Sequence, residues 1–496
     1  MTANRASDYL WSTVDARPFL LFRALWGLIL FFLPLRYFLH GWIQEYFYRP
    51  QFFFSFIDTS WYGPLPWPGM YVVFGFLCLL GLSVAIGYRY RIASLLYALL
   101  FFYFHSLDKT IYLNHYYLVF LLTGLLAFLP PPQRLRGPTS MESGAEVAHF
   151  DKMLIAGPTG LESMVIPRLA LISIQVLIAI VYFYAALAKM RSDWLFDAMP
   201  LRIWLPARVD SLPAGHWLSI PAVAWFFAWG GLLFDGLIPF FLFWKRSAKI
   251  AFAAVILFHV TTALLFRIGM FPWIMIAANT IFLGPLLALP DGFYGKVLGR
   301  FVGVRGEEDD FTVAEKKAVR EPPATFHTLR RNWPWSKRKD IRSSAFGRGF
   351  LLAFLLGFFI FQIVAPARRF FYPGKTTWNE YGFRFSWQVM VMQKSGLCEF
   401  TILQGDRQLT LDPSEILTPY QELMMSTQPD MILQFGQYLS RRFGAGQSSG
   451  AAPVFARCLV SLNGRPHQSL IRSDLDLSDP NTKVEDIIVP FLQATK

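Results

Sequence analysis

Long apolar runs recur along the first three quarters of this chain, and no water-soluble core could bury all of them. Window hydropathy marks about nine stretches of near-spanning length, over 18–39, 69–88, 91–105, 115–130, 167–189, 222–245, 248–267, 271–289 and 347–365. A helix of that length satisfies its own backbone hydrogen bonds and can leave apolar side chains in lipid. Only 16% of the 496 residues are charged, against about a quarter in an average soluble protein. The pattern predicts an α-helical polytopic membrane protein. The runs at 91–105 and 115–130 are short and call for tilt or shelter by neighbours. Residues 193–205 mix Trp, Phe, Met, Leu and Ile with polar groups and read as an interfacial or re-entrant helix. The polar start, 1–16, and the missing small-residue cleavage site predict that the first span stays as an anchor.

The net charge of +13 has two readings. Because the basic residues cluster in loops between apolar runs, loop charges on the cytoplasmic side outweigh nucleic-acid binding, and no nucleic-acid partner is expected. The loop 290–346 carries Lys316-Lys317, Arg330-Arg331 and Lys337-Arg338-Lys339, which places it in the cytoplasm. Alternation then puts Lys245-Arg246, Arg89 and the N-terminus inside, and residues 366–496 outside: the periplasm of a bacterium or the ER lumen of a eukaryote. Four units are expected: a transmembrane core over 1–289, the basic loop 290–346, a last span over 347–365, and an extracytoplasmic domain over 366–496.

That last domain has a different texture. Residues 399–411 read as a hairpin turning at Gly405-Asp406, 414–443 as helix, and 454–462 and 468–471 as further strands, which predicts a small α+β domain. Of the three cysteines, Cys78 lies in a span; Cys398 and Cys458 share the terminal domain, either as a disulfide in an oxidising compartment or as free thiols.

Polar groups inside apolar runs are costly and so are candidates for function. Asp235 sits in mid-span, either as a structural acid paired with a buried donor or as a working group; His259 has the same two readings. Asp108-Lys109 and Asn114-His115 flank the gap between two spans and could form a simple polar turn. Lys189 ends the fifth run. It is either a lysine snorkelling to the headgroups or an amine held in an apolar pocket, where desolvation favours the neutral base. No Walker loop, zinc signature, nucleophile elbow or metal-ligand spacing among the eight histidines occurs, and no metal is expected.

The stretch Leu107-Asp108-Lys109-Thr110 with Asn114-His115-Tyr116-Tyr117-Leu118 resembles the signature of vitamin K-dependent γ-glutamyl carboxylases and their HTTM-domain relatives. Phe22 to Gly27, Gly87 to Ile92, Ala188-Lys189-Met190-Arg191-Ser192-Asp193-Trp194, Phe258-His259 with Ile268 to Phe271, Arg384 to Trp387 with Met390, and Val460 to Arg465 agree in order, so the likeness covers nearly the whole chain. It implies carboxylation of protein glutamates coupled to epoxidation of vitamin K hydroquinone (reduced menaquinone or phylloquinone), with O2 and CO2 as co-substrates. In that family, oxygenating the cofactor supplies the base that takes the γ-proton, in a site that excludes water. The likeness assigns Lys189 as the base toward the hydroquinone, His115 to stabilising charge and Asn114 to orienting it. Phe271, Met275 and Met390 would line the quinone pocket; His259 carries a cofactor-side role of unfixed kind, and Asp235 a structural one. Implied partners are a glutamate-containing polypeptide, membrane lipid and a quinone or epoxide reductase. Departures are Ala188 and Phe383, where animal enzymes carry lysine and tyrosine, and a terminal domain of short, bacterial or invertebrate type. Two other readings compete: a quinone epoxidase that carboxylates no protein, and a non-catalytic membrane module or transporter.

Overall fold

A computed structural model describes residues 3–57, 61–134, 164–211, 215–266, 268–284, 345–444 and 450–492. The basic loop expected over 290–346 falls outside them, apart from its last two residues. A short amphipathic helix, α1 (Ala3–Trp11), leads into α2 (Arg17–Leu39), then α3 (Gly69–Ile86), α4 (Tyr90–Ser106) and α5 (Asn114–Phe128). After these come α6 (Arg168–Lys189), α7 (Pro221–Phe243), α8 (Ala248–Leu265), α9 (Phe271–Asn279) and α10 (Ala345–Ala367).

Among the described residues six helices are long and apolar enough to cross a bilayer: α2, α3, α6, α7, α8 and α10. The other three of the nine expected spans are shorter apolar helices, α4, α5 and α9 with its 3-10 extension to Phe282. The outward faces carry large apolar groups such as Phe226, Phe240 and Ile250, as lipid contact requires. The stretch expected as one interfacial helix over 193–205 is two single turns, Ser192–Leu195 and Leu201–Trp204. Their Trp194, Leu201 and Leu205 pack on Ala224 and Ala228 of α7 in a small separate cluster.

Small residues set the closest helix contact. A Cβ on Gly27 of α2 would lie 2.2 Å from the backbone nitrogen of Ala85 in α3, and one on Gly81 would lie 2.6 Å from the nitrogen of Phe31. The two backbones therefore meet directly, as helices in lipid do when glycine faces glycine or alanine. Gly87 ends α3 at φ +82, the left-handed position that a helix C-terminus favours for glycine.

In the terminal domain, β1 (Lys394–Gln404), β2 (Arg407–Leu411), β3 (Val454–Leu462) and β4 (Gln468–Ser469) form an antiparallel sheet ordered β2-β1-β3-β4. Gln404 pairs with Arg407, so Gly405-Asp406 is the two-residue turn expected. The single helix expected over 414–443 is broken. Pro419 opens α11 (Pro419–Met425) behind a Thr418 capping box, and Pro429 opens α12 (Pro429–Gly444). Proline suits a first turn and cannot donate inside a helix, so each restarts the chain. Both helices cover one sheet face in a core that includes Phe400, Phe435, Leu439 and Val454. Register sets Cys398 opposite Cys458, and the two are joined as a disulfide.

Candidate functional site

The end of α2, the 111–116 segment entering α5, the 268–271 segment entering α9 and the chain from Gln388 to Met390 converge beneath Tyr420 of α11. They line a half-open cavity of about 630 Å³, within the range of ligand sites. Four residues singled out from sequence stand in its wall: Asn114, His115, Phe271 and Met390. Three do not: Lys189, His259 and Met275.

Asn114 is fixed on both sides. Its carbonyl accepts from the Tyr112 hydroxyl at 3.1 Å, and its amide donates to the backbone oxygen of Gln388 at 3.0 Å. It thus ties α5 to the terminal domain's entry segment rather than bonding His115. The His115 ring lies 4.8 Å from the Tyr116 ring and 5.9 Å from that of Phe271, centre to centre. The entry segment is strained, with Phe385, Trp387 and Met390 at φ between +56 and +61. Such left-handed positions in non-glycine residues persist only where the surroundings impose them. Here Tyr117 supplies part of that hold, its ring 5.0 Å from those of both Phe385 and Trp387.

Phe271 also touches His259, at 5.7 Å between ring centres. His259 Nε2 lies 3.1 Å from the Tyr182 hydroxyl, which accepts from Asn279 at 2.9 Å. Asp235 is near enough to Tyr182 to act on it electrostatically. Asp235 in turn accepts from Lys189 Nζ at 2.7 Å. Neighbouring groups thus run from the cavity through Phe271, His259 and Tyr182 to a buried ion pair. The free amine expected at Lys189 is instead bound to Asp235, with the Ala185 carbonyl at 3.4 Å and the Trp194 ring 5.4 Å away. Met275 lies on α9 itself, buried in the helical core and outside the cavity wall.

The rest of the signature joins the two halves of the molecule. The Asp108 carboxylate accepts from the Gln421 amide at 2.8 Å, and Lys109 meets Gln434 at 3.0 Å and Asp430 at 3.3 Å. Burial would raise the Asp430 carboxyl, but Arg384 and Lys109 outweigh it and hold the group at about 2. On the far side, Asp193 receives Lys375 at 3.0 Å, Arg465 at 3.1 Å and the Asn463 amide at 2.8 Å. Burial pushes Asp193 up, yet these partners hold it below the usual carboxylate range. Arg191 donates to the Gln388 side chain, and burial lowers its guanidinium to about 10. Lys189-to-Trp194 and Asn463-to-Arg465 therefore meet in space.

Sequence reasoning passed over Arg36, Tyr37, Tyr46, Gln388 and Tyr420, all in the cavity wall. Arg36 left a signal, a charge near the end of the first apolar run; the tyrosines left none in so aromatic a chain.

Among the described residues no cluster of histidine, cysteine and carboxylates is built to hold a metal. The wall does fit a flat quinone ring: Trp42, Tyr46, Tyr116 and Phe271 supply faces and edges, and Met270 and Met390 polarizable sulfur. A family model described as the HTTM domain matches residues 11–285. A second, described as the lumenal domain of vitamin K-dependent gamma-carboxylase, matches residues 348–493. No solved structure matches the chain.

Proposed function

This chain belongs to the vitamin K-dependent γ-glutamyl carboxylase family, and from that premise we propose that it carboxylates glutamate side chains of a polypeptide, coupled to epoxidation of vitamin K hydroquinone by O2, with CO2 as co-substrate. The observation that carries the proposal is the cavity of about 630 Å³ that gathers Asn114, His115, Phe271 and Met390 where both matched regions meet.

Phe271 and Met390 hold the quinone ring, and Met275, one turn along α9 from Phe271, packs in the core behind it. When bound and oxygenated, the reduced quinone supplies the base that no protein side chain can match. His115 donates to negative charge that builds in the cavity. Asn114 keeps the 111–116 segment docked on Gln388, and so places His115. Lys189 first passes a proton to Asp235 across their 2.7 Å contact and, as the neutral amine, takes up the proton that the bound hydroquinone must lose; His259, Tyr182 and Asn279 lie on the path to it. The aromatic wall excludes water that would quench a strong base.

The proposed topology has nine passes, an inside N-terminus and the terminal domain outside. The Cys398–Cys458 disulfide supports an oxidising compartment for that domain.

Reconstitution with reduced vitamin K, O2, labelled bicarbonate and a glutamate-rich peptide tests the proposal. Epoxide together with label in the peptide is expected, and Lys189→Ala is expected to abolish both. Epoxide without label would leave a quinone epoxidase; neither product would leave a non-catalytic membrane protein.

A further inference from the structure

Arg36 sits in the last turn of α2, its guanidinium 5.1 Å from the centre of the Trp42 ring. It lines the cavity and acts electrostatically on His115 and Tyr116. Opposite it, Gly269 holds φ +60, and a side chain there would begin 3.7 Å from one of its terminal nitrogens. The other arginines around the site have acceptors: Arg191 the Gln388 side chain, Arg384 Asp430, Arg465 Asp193, and Arg368 the Arg384 carbonyl. Among the described residues Arg36 has none, and no carboxylate stands in the cavity wall. A guanidinium held against an aromatic wall without an anion forgoes the pairing that compensates partial desolvation. Its chemistry calls for a ligand that brings the negative charge.

We propose that Arg36 is the specificity residue that anchors the side-chain carboxylate of the acceptor glutamate in this cavity. The inference rests on the reading that a polypeptide glutamate reacts there. Two parallel N–H groups of a guanidinium match the two oxygens of a carboxylate, a geometry that neither a lysine nor a tyrosine reproduces. The same cation opposes the negative charge that accumulates on the carbon beside that carboxylate, so one contact serves both selection and reaction. The Trp42 ring holds the guanidinium on one side, and Gly269 adds no side chain to the space beside it.

Binding, rather than turnover, tests the proposal on the full chain in lipid nanodiscs. The probes are a glutamate-containing peptide, the same peptide with glutamine, and a short-chain vitamin K quinone. Wild type is expected to prefer the glutamate peptide by about 100-fold, the scale of two charge-assisted hydrogen bonds. Arg36→Gln is expected to erase the preference and Arg36→Lys to retain about a tenth of it. Quinone affinity is expected to stay the same in all three proteins, which also reports that the variants are folded. Equal affinity of wild type for the two peptides would overturn the proposal. So would a preference that survives Arg36→Gln, or a loss of quinone binding in its place. A wild type that prefers the glutamate peptide yet makes no epoxide would contradict the proposed reaction and leave Arg36 as the anchor.

Discussion

Removing one partner of the Lys189–Asp235 pair should be far more harmful than removing both. The two groups lie 2.7 Å apart, and each side chain is only 8% exposed. In Asp235→Leu the ammonium keeps only the Ala185 carbonyl and the Trp194 ring. An uncompensated charge at such a site destabilises by about 3–5 kcal/mol. Lys189→Met strands the carboxylate instead and should fall in the same range. The double variant carries no charge there and has similar volume, so it should return to within about 1 kcal/mol of wild type. The coupling between the sites is then about 5 kcal/mol or more, well above the scatter of independent substitutions. Detergent-driven unfolding in mixed micelles, followed by circular dichroism, measures the cycle. Epoxide formation should remain absent from the double variant, so that stability returns without activity. A double variant as unstable as the sum of the singles would refute the idea that the two groups neutralise each other.

Three further outcomes follow from the fold. Gly27→Leu should prevent the α2–α3 contact, because even its first carbon falls 2.2 Å from the Ala85 backbone; loss of the monodisperse folded fraction on size-exclusion chromatography would report it. Removing the disulfide in Cys398→Ser/Cys458→Ser opens a loop of 60 residues and should destabilise the terminal domain by about 4 kcal/mol on the chain-entropy account, measurable by denaturant titration. Asp430 sits at about 2 in the folded protein, below the ordinary carboxyl value of 3.8, so the folded chain binds fewer protons than the unfolded chain between those values. Its contribution of about 2 kcal/mol is complete above pH 4 and lost as pH falls toward 2; Asp430→Asn should flatten that part of the acid unfolding curve.

Much of this was legible in the residues. The hydropathy runs located the helices because lipid demands unbroken apolar length, and α4, α5 and α9 proved short because their ends turn into the cavity and the domain joint rather than continuing outward. Gly405-Asp406 marked its turn by the φ it needs. Lys189 and Trp194 were visible as a block, but not the pairing of Lys189 with Asp235, which lies 46 positions further on. Asp108 and Lys109 read as a polar turn because their partners Gln421 and Gln434 stand more than 300 residues later. Pro429 carried a break signal that the apolar spacing of 414–443 overrode. Pairing of Cys398 with Cys458 needed the strand register, which composition does not contain.

The account turns on the reduced quinone lying against His115 and Phe271. A photoreactive vitamin K analogue, crosslinked in nanodiscs and mapped by mass spectrometry, addresses that directly. The account predicts adducts on 111–116, 268–271 and 388–390 that authentic vitamin K competes away. Adducts confined to the lipid-facing sides of α7 and α8, or undiminished by competitor, would contradict it.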